Sequence, residues 1–169
     1  MYASAGVLSI ETEKPHFENE RNSAFRVQMR GGSFGYVSPS IRWWQKAGSR
    51  TSFSLNGNYM RADGNYPFTL VNGKYVTEEK RNNSAIYTYQ IEPTLFHTFK
   101  DSSNLELKAY YFYSKRGLPG SVTLYNPISD ETLWDENVFI QTRYKKDFSQ
   151  KWSLQAQAKY NHCLLYTSP

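Results

Sequence analysis

Few of the side chains that commonly carry chemistry occur in this chain in a catalytic arrangement. The three histidines, His16, His97 and His162, lie far apart, and Cys163 is the single cysteine among 169 residues. One cysteine excludes an internal disulfide and a multi-cysteine zinc site. No nucleophile stands beside a base in a known motif, and no phosphate-binding loop occurs. We therefore predict no catalytic residue, no metal site, no cofactor and no enzyme activity.

The densest group of carboxylates suggests calcium as a ligand, because calcium prefers hard oxygen donors. The group consists of Asp130, Glu131, Asp135 and Glu136. Their spacing does not match the ordered loop of a known calcium motif, so a solvated loop is the simpler interpretation.

Charge and composition restrict the class of protein further. Lysine and arginine exceed aspartate and glutamate by 20 to 15, and the net charge of +5 is spread along the chain. A nucleic-acid-binding protein would concentrate this charge in a basic stripe, so we predict no nucleic-acid partner. The mean hydropathy is -0.69, and no apolar run approaches the roughly 20 residues of a transmembrane helix. The 14 Tyr, 10 Phe and 4 Trp are the unusual feature.

Alternation of apolar and polar residues dominates the chain after residue 22. It is clearest from Asn83 to Ser114, where Ile91 and Leu107 belong to an apolar set and Glu92 to a mostly polar one. Successive strand side chains point to opposite faces, so this stretch is predicted to be an antiparallel hairpin with one apolar face. Similar alternation predicts five more strands, over residues 25–30, 37–43, 52–59, 138–145 and 152–161.

The connections between these strands alternate in length. Tight turns are predicted at residues 46–49, 101–103 and 147–150, and long connections from Arg61 to Asn82 and from Lys115 to Asn137. The first long connection contains Asn72-Gly73, which predicts a small hairpin of its own. An up-and-down meander places the tight turns at one end and the long loops at the other.

The aromatic residues of the apolar set fall near the two ends of the strands, with aliphatic residues between them. Short turns, long outer loops and two aromatic girdles are typical of outer-membrane β-barrels. We therefore predict an all-β, antiparallel up-and-down meander of about seven strands of a larger transmembrane β-barrel in the bacterial outer membrane, surrounded by lipid. Pro39 and Pro93 fall inside strands, where each removes a ladder donor, so we expect bulges there.

This topology gives two sets of candidate functional residues. The set predicted to face the lumen or a plug is Arg26, Arg42, Glu92, Glu106, Lys108 and Arg143. The set predicted to contact a ligand from the loops is Arg61, Asp63, Tyr66, Phe68, Arg116, Tyr125 and Trp134. Ordinary solvated lining and solvated loops remain the alternative interpretations.

Three segments resemble one family, the TonB-dependent outer-membrane receptors. GVLSIETEKP at Gly6 to Pro15 is similar to the last plug strand and its exit into the barrel. GSFGY at Gly32 to Tyr36 is similar to the opening barrel hairpin of the family. SKRGLPG at Ser114 to Gly120 is similar to the start of an outer loop in Bacteroidetes-type receptors. The resemblance implies a barrel of about 22 strands around an N-terminal plug. It also implies active uptake, driven by TonB, of a scarce nutrient such as a ferric siderophore, haem or cobalamin, with a surface lipoprotein as a further partner.

The resemblance divides the chain into three parts. Residues 1–22 are expected to be the end of the plug domain and a linker, and residues 23–162 the first seven barrel strands. Residues 163–169, CLLYTSP, resemble a translated adapter sequence and are expected to be a non-native tail on a truncated fragment. Two other functions stay open: a soluble or surface-attached β module that binds glycans through aromatic residues, and a passive porin.

Overall fold

The computed structural model describes residues 22–120 and 129–168, which form strands, turns and irregular connections without a helix. The strands are β1 (Ser23–Gly31), β2 (Val37–Lys46), β3 (Thr51–Ala62), β4 (Pro67–Asn72), β5 (Tyr75–Lys80), β6 (Ile86–Thr98), β7 (Asn104–Gly117), β8 (Thr132–Asp147) and β9 (Ser153–Ser168). The expected last plug strand, from Gly6 to Pro15, and the predicted loop residue Tyr125 lie outside the described residues. The all-β prediction is confirmed.

Seven strands form one sheet in the order β1-β2-β3-β6-β7-β8-β9. Every neighbouring pair is antiparallel, which confirms the predicted meander. Strands β4 and β5 form a separate hairpin between β3 and β6. This hairpin turns directly after Asn72, where Gly73 adopts a φ of 61°, as the Asn-Gly pair predicts.

The strands around the second long connection extend further than the sequence predicts. Strand β7 continues to Gly117 and β8 begins at Thr132, so the predicted loop from Lys115 to Asn137 is wrong at both ends. Lys115 pairs with Trp134, and Tyr113 pairs with Glu136. Lys115 and Glu136 place charges on the apolar face near the strand ends, which hides the alternation in the sequence.

Strand β9 also continues past its predicted end. It pairs with β8 as far as Ser168, with Leu165 opposite Asp135. The predicted end of this strand at residue 161 is therefore wrong, although the origin of residues 163–169 stays a prediction.

The two prolines do not mark bulges, contrary to the sequence-based expectation. Each proline interrupts the pairing with one neighbouring strand. For Pro39 the interruption in the β2–β3 ladder lies between the pairs Val37↔Arg61 and Ser40↔Asn58. For Pro93 the interruption in the β6–β7 ladder lies between the pairs Ile91↔Tyr111 and Thr94↔Lys108. Both strands of each pair advance by the same number of residues across the interruption, so no residue is inserted. Each proline pairs normally on its other side, with Met29 and with Leu55.

The register pairs apolar side chains with apolar ones, and polar side chains with polar ones, across the sheet. The apolar face carries one row of side chains after another, for example Ile41, Gly57, Ile91, Tyr111 and Val138, which follow one another across five strands. The opposite side, the polar face, has Arg42, Asn56 and Glu92 in one corresponding row. A slip of one residue would reverse these faces, so the register is strongly specified.

Burial in this sheet is the inverse of burial in a water-soluble protein. Phe96, on the polar face, is the one buried hydrophobic side chain among the described residues, at 7% exposure. The other buried side chains are hydroxyls, and those within the sheet stand on the polar face: Ser38, Ser54, Thr88, Thr94 and Ser114. The exposed large side chains of the apolar face include Phe25, Ile41, Phe53, Tyr89, Ile91, Leu107, Tyr111, Ile140, Leu154 and Tyr160.

Candidate functional site

The polar face carries a network of charged side chains near its centre. Lys108 Nζ lies 2.9 Å from Glu92 Oε2, and Asn56 donates to the other oxygen of Glu92 at 3.1 Å. On the next pair of strands, β7 and β8, Arg143 lies 3.7 Å from Glu106. These ion-pair side chains are between 14% and 23% exposed. The structure thus brings together four of the six residues that the sequence assigns to the lumen, as two neutralised pairs.

Three buried polar atoms of this face have no hydrogen-bond partner among the described residues. They are Asn56 Oδ1, Thr94 Oγ1 and Arg143 Nε. Buried polar atoms in native proteins are nearly always satisfied by protein or by ordered water. The polar face is therefore a surface that requires water or another polar partner.

The other two predicted lumen residues, Arg26 and Arg42, lie opposite each other on β1 and β2. Both guanidinium groups stand over the ring of Trp44, at 6.0 Å and 5.5 Å from its centroid. Neither arginine forms an ion pair with a described residue. With Arg30 they line a hollow of about 340 Å³ on the polar face. Sequence reasoning missed Trp44, whose position beside both arginines depends on the strand register.

A second hollow, of about 440 Å³, lies on the polar face near the tight turns. Phe96, Glu106, Arg143 and Lys145 are among its lining residues. Both hollows, and the buried hydroxyls of the sheet, thus lie on the polar face.

Aromatic residues also occur on the polar face, where they interrupt the sequence alternation. Tyr110 and Phe139 stack with their ring centroids 4.7 Å apart. Lys159 Nζ lies 4.2 Å from the centroid of Phe139. This cation–π contact lets a lysine remain next to apolar rings.

At the long-loop end, part of the predicted ligand-contacting set forms a cluster. Tyr66 contacts Phe34 and Phe68 edge to face, at centroid distances of 6.2 Å and 6.4 Å. Arg61 pairs with Asp63 at 3.1 Å, and its Nε donates to the same carboxylate oxygen at 3.3 Å. Sequence reasoning missed Phe34, which the short β1–β2 connection brings to Tyr66.

Hydrogen bonds tie the three connections of this end together. The backbone N–H of Asp63 donates to Phe34 O at 2.9 Å, and Ser84 Oγ donates to Gly64 O at 2.8 Å. The side-chain amide of Asn83 donates to Glu131 O at 2.6 Å and to Leu118 O at 3.2 Å. Asn83 has a φ of 49°, a left-handed conformation that asparagine tolerates better than most residues. The loop end is therefore a connected platform in the described part of the chain.

Two other members of the predicted set lie elsewhere. Arg116 is in β7, opposite Ile86 and Leu133, which places it on the polar face. Trp134 is on the apolar face, where it stacks on Tyr166 at 5.0 Å and lies 5.3 Å from Lys115 Nζ. The structure thus groups Arg61, Asp63, Tyr66 and Phe68 but does not bring Arg116 or Trp134 to them.

Aromatic contacts mark both ends of the apolar face. Tyr89 contacts Tyr59 and Tyr113 near the loops, at 5.2 Å and 6.1 Å. Near the turns, Phe99 contacts His97 and Tyr144, at 4.6 Å and 6.5 Å.

The sorting of the aromatic residues is less strict than the sequence predicts. Trp43 shares a register row with Leu55, and Tyr160 pairs with Ile140. Both therefore stand among aliphatic residues in the middle of the apolar face.

The β6–β7 turn is held by one carboxylate. Asp101 accepts hydrogen bonds from the backbone N–H and hydroxyl of Ser103, at 3.2 Å and 2.7 Å, and from Lys146 at 2.7 Å. The Lys146 hydrogen bond, followed by those from Ser103, holds the pKa of Asp101 well below its ordinary value. Ser102 takes a φ of 64° in this turn.

No protein-family model matches this chain, and no curated protein matches it either. Across residues 22–120 and 129–168, no three histidine, cysteine, aspartate or glutamate side chains are grouped so that they could hold a metal ion. Within the same ranges no helix has the length and apolar character needed to cross a membrane.

Proposed function

We propose that the seven-stranded sheet is part of the wall of an outer-membrane β-barrel, and that this barrel belongs to a TonB-dependent transporter. The observation that carries the proposal is the inverted burial: Ile91 and Ile140 are 49% and 50% exposed, whereas Thr94 on the polar face is 2% exposed. A face of contiguous exposed apolar side chains across seven strands is far larger than the patches of a few hundred Å² that soluble monomers present. Lipid is the solvent in which such a face is stable.

The dimensions of the sheet agree with a membrane span. The shortest of its seven strands, β1, has 9 residues and the longest have 16. A transmembrane strand needs about 9–11 residues when tilted by about 45°. Tyrosine and tryptophan near the strand ends also match the aromatic girdles at the two lipid–water boundaries.

Closure of the barrel requires strands beyond these seven. Strands β1 and β9 are the two edges of the sheet, and an open edge in hydrocarbon leaves backbone N–H and C=O groups without partners. We propose that each edge pairs with a further strand, in a barrel of about 22 strands as the family resemblance implies. The polar face then lines a water-filled lumen or contacts a plug, which would satisfy its unpaired polar atoms.

The transport function rests on the resemblance of residues 6–15, 32–36 and 114–120 to the receptor family. Under this proposal a ferric siderophore, haem or cobalamin approaches the loop platform, where Tyr66, Phe68 and Phe34 offer aromatic surface and Asp63 a carboxylate. TonB supplies the energy for uptake, and a surface lipoprotein assists capture. A soluble glycan-binding module would leave the same apolar face in water, which weighs against it.

Fractionation of cells that express the full-length gene tests the barrel, and a transport assay tests the function. We expect the protein in the outer membrane, resistant to extraction by alkaline carbonate, with uptake of a labelled siderophore, haem or cobalamin that stops when TonB is deleted. Recovery of the protein in the soluble fraction would refute the barrel. Uptake that persists without TonB would instead support a passive porin.

A further inference from the structure

We propose that Arg26, Arg30 and Arg42 form a binding site for a small oligo-anion, a ligand with two or more carboxylate or phosphate groups. The site is the hollow of about 340 Å³ on the polar face of β1, β2 and β3, a volume within the range of small-molecule sites, roughly 300–1,000 Å³. The proposal rests on the proposed function in one respect: the anion would reach the hollow through the lumen of the barrel.

Within residues 22–120 and 129–168, no carboxylate lines the hollow or pairs with its arginines. Arg26 and Arg42 face each other directly across the β1–β2 pair, and like charges in this position destabilise a sheet. The nearest acidic residue of the same row, Glu92, is already paired with Lys108 and Asn56. By contrast, Arg61 and Arg143 each have a carboxylate partner. An anion in the hollow would remove the repulsion between Arg26 and Arg42.

Trp44 organises the two opposed guanidinium groups. Its ring lies within 6.0 Å of both, so cation–π attraction holds two like charges near one point. A cation–π contact consumes no N–H donor, and no hydrogen bond ties Arg26 or Arg42 to another described residue. The planar N–H edges of arginine match carboxylate and phosphate oxygens in a bidentate manner. The two groups are thus oriented by the ring and available to a ligand.

Arg30 adds length to the site. It lies on the same face of β1 as Arg26, four positions further along the strand, which corresponds to a separation of about 13 Å. The remaining lining includes neutral donors and no carboxylate: Gln28, Ser38, Ser40, Asn56, Asn58 and Gln90. Cations that are separated along β1 favour a ligand with separated anionic groups over a ligand with a single one.

Titration calorimetry on the purified full-length protein in detergent micelles tests the site, with pyrophosphate and citrate as probes and acetate as the single-charge control. We expect pyrophosphate and citrate to bind, acetate to bind at least tenfold more weakly, and added salt to weaken binding because of screening. Arg42→Gln should reduce the affinity by about tenfold to hundredfold, the range for a lost hydrogen bond to a charged group. Arg26→Gln/Arg42→Gln should abolish binding.

Lys159→Gln is the matched control, since it also removes one positive charge and one cation–π contact from the polar face. It should leave the affinity within about twofold. An equal loss in Lys159→Gln and Arg42→Gln, or no binding of either probe to the native protein, would overturn the proposal.

This test separates the site from the proposed function. Loss of anion binding in a protein that still fractionates with the outer membrane refutes the site alone. Anion binding that depends on Arg42 in a protein recovered from the soluble fraction supports the site and refutes the barrel.

Discussion

Substitution of Ile91 by arginine distinguishes lipid from water on the apolar face. Ile91 lies in the middle of β6, between Gly57 and Tyr111 on the neighbouring strands, and is 49% exposed. Gln90, the preceding residue, points to the polar face between Asn58 and Phe112. The variants Ile91→Arg and Gln90→Arg therefore place the same charge one residue apart, on opposite faces of one strand.

The expected magnitudes differ by a wide margin. Arginine at the bilayer midplane costs about 2–4 kcal/mol in a barrel wall, a decrease of roughly 30-fold to 1,000-fold in the ratio of folded to unfolded protein. If water covered Ile91, the exposed position should tolerate arginine within about 0.5 kcal/mol. Strand propensity spans only about 1 kcal/mol, so it cannot produce the larger effect.

The assay is urea unfolding of the full-length protein inserted in phospholipid vesicles, followed by tryptophan fluorescence. We expect Ile91→Arg to lose about 2–4 kcal/mol and Gln90→Arg to stay within about 1 kcal/mol of the native protein. Leu105→Arg places the charge on the apolar face near the tight turns, so it tests whether the cost depends on depth in the bilayer. It should lower the free energy of unfolding by only about 0–1 kcal/mol. Equal stability of Ile91→Arg and Gln90→Arg would refute the assignment of the apolar face to lipid.

Three further predictions concern the turn, the loop platform and the polar face. Because its partners hold the pKa of Asp101 below the ordinary value, its stabilising contribution should be complete above about pH 4 and decline as the pH falls further. Urea unfolding at pH 7 and pH 3 should show a smaller pH effect in Asp101→Asn than in the native protein. Asn83→Ala removes two hydrogen bonds from the platform and should cost about 1–3 kcal/mol, with faster protease cleavage of the loops. Exchanging Glu92 and Lys108 should restore most of the stability that either single alanine variant loses, and a double-mutant cycle should give a coupling of about 0.5–3 kcal/mol.

Each of these predictions has a contrary outcome. An unchanged pH effect in Asp101→Asn would show that the turn carboxylate does not contribute to acid sensitivity. Native rates of loop cleavage in Asn83→Ala would show that the platform is held by other contacts. Additive losses for the Glu92 and Lys108 alanine variants would show that this ion pair contributes nothing of its own.

The faces of the strands could be predicted from the sequence, because one periodicity governs the whole sheet. Ile91 and Leu107 stand on one side and Glu92 and Lys108 on the other, as alternation predicts. The register then follows from matching these faces across tight turns. Local information was sufficient here, since each strand repeats the same two-residue pattern.

The strand ends and the site could not be predicted in the same way. Lys115 and Glu136 extend the strands although they place charges on the apolar face, which alternation alone does not predict. The contacts of Phe34 with Tyr66, and of Trp44 with two arginines, join residues of different strands or connections. These contacts depend on the register and on the path of the loops, which composition and spacing do not contain.

The burial pattern bears on the proposal that lipid, and not a second protein surface, covers the apolar face. Two sheets could hide their apolar faces from water by packing together as a sandwich. This sheet, however, shelters its polar side, where Ser54 and Thr94 are 5% and 2% exposed and where the two hollows lie. We infer from this that the apolar side is the convex one, and two convex surfaces touch over only a small area. Fluid hydrocarbon conforms to a convex surface, whereas a rigid sheet does not, so the curvature favours lipid as the cover.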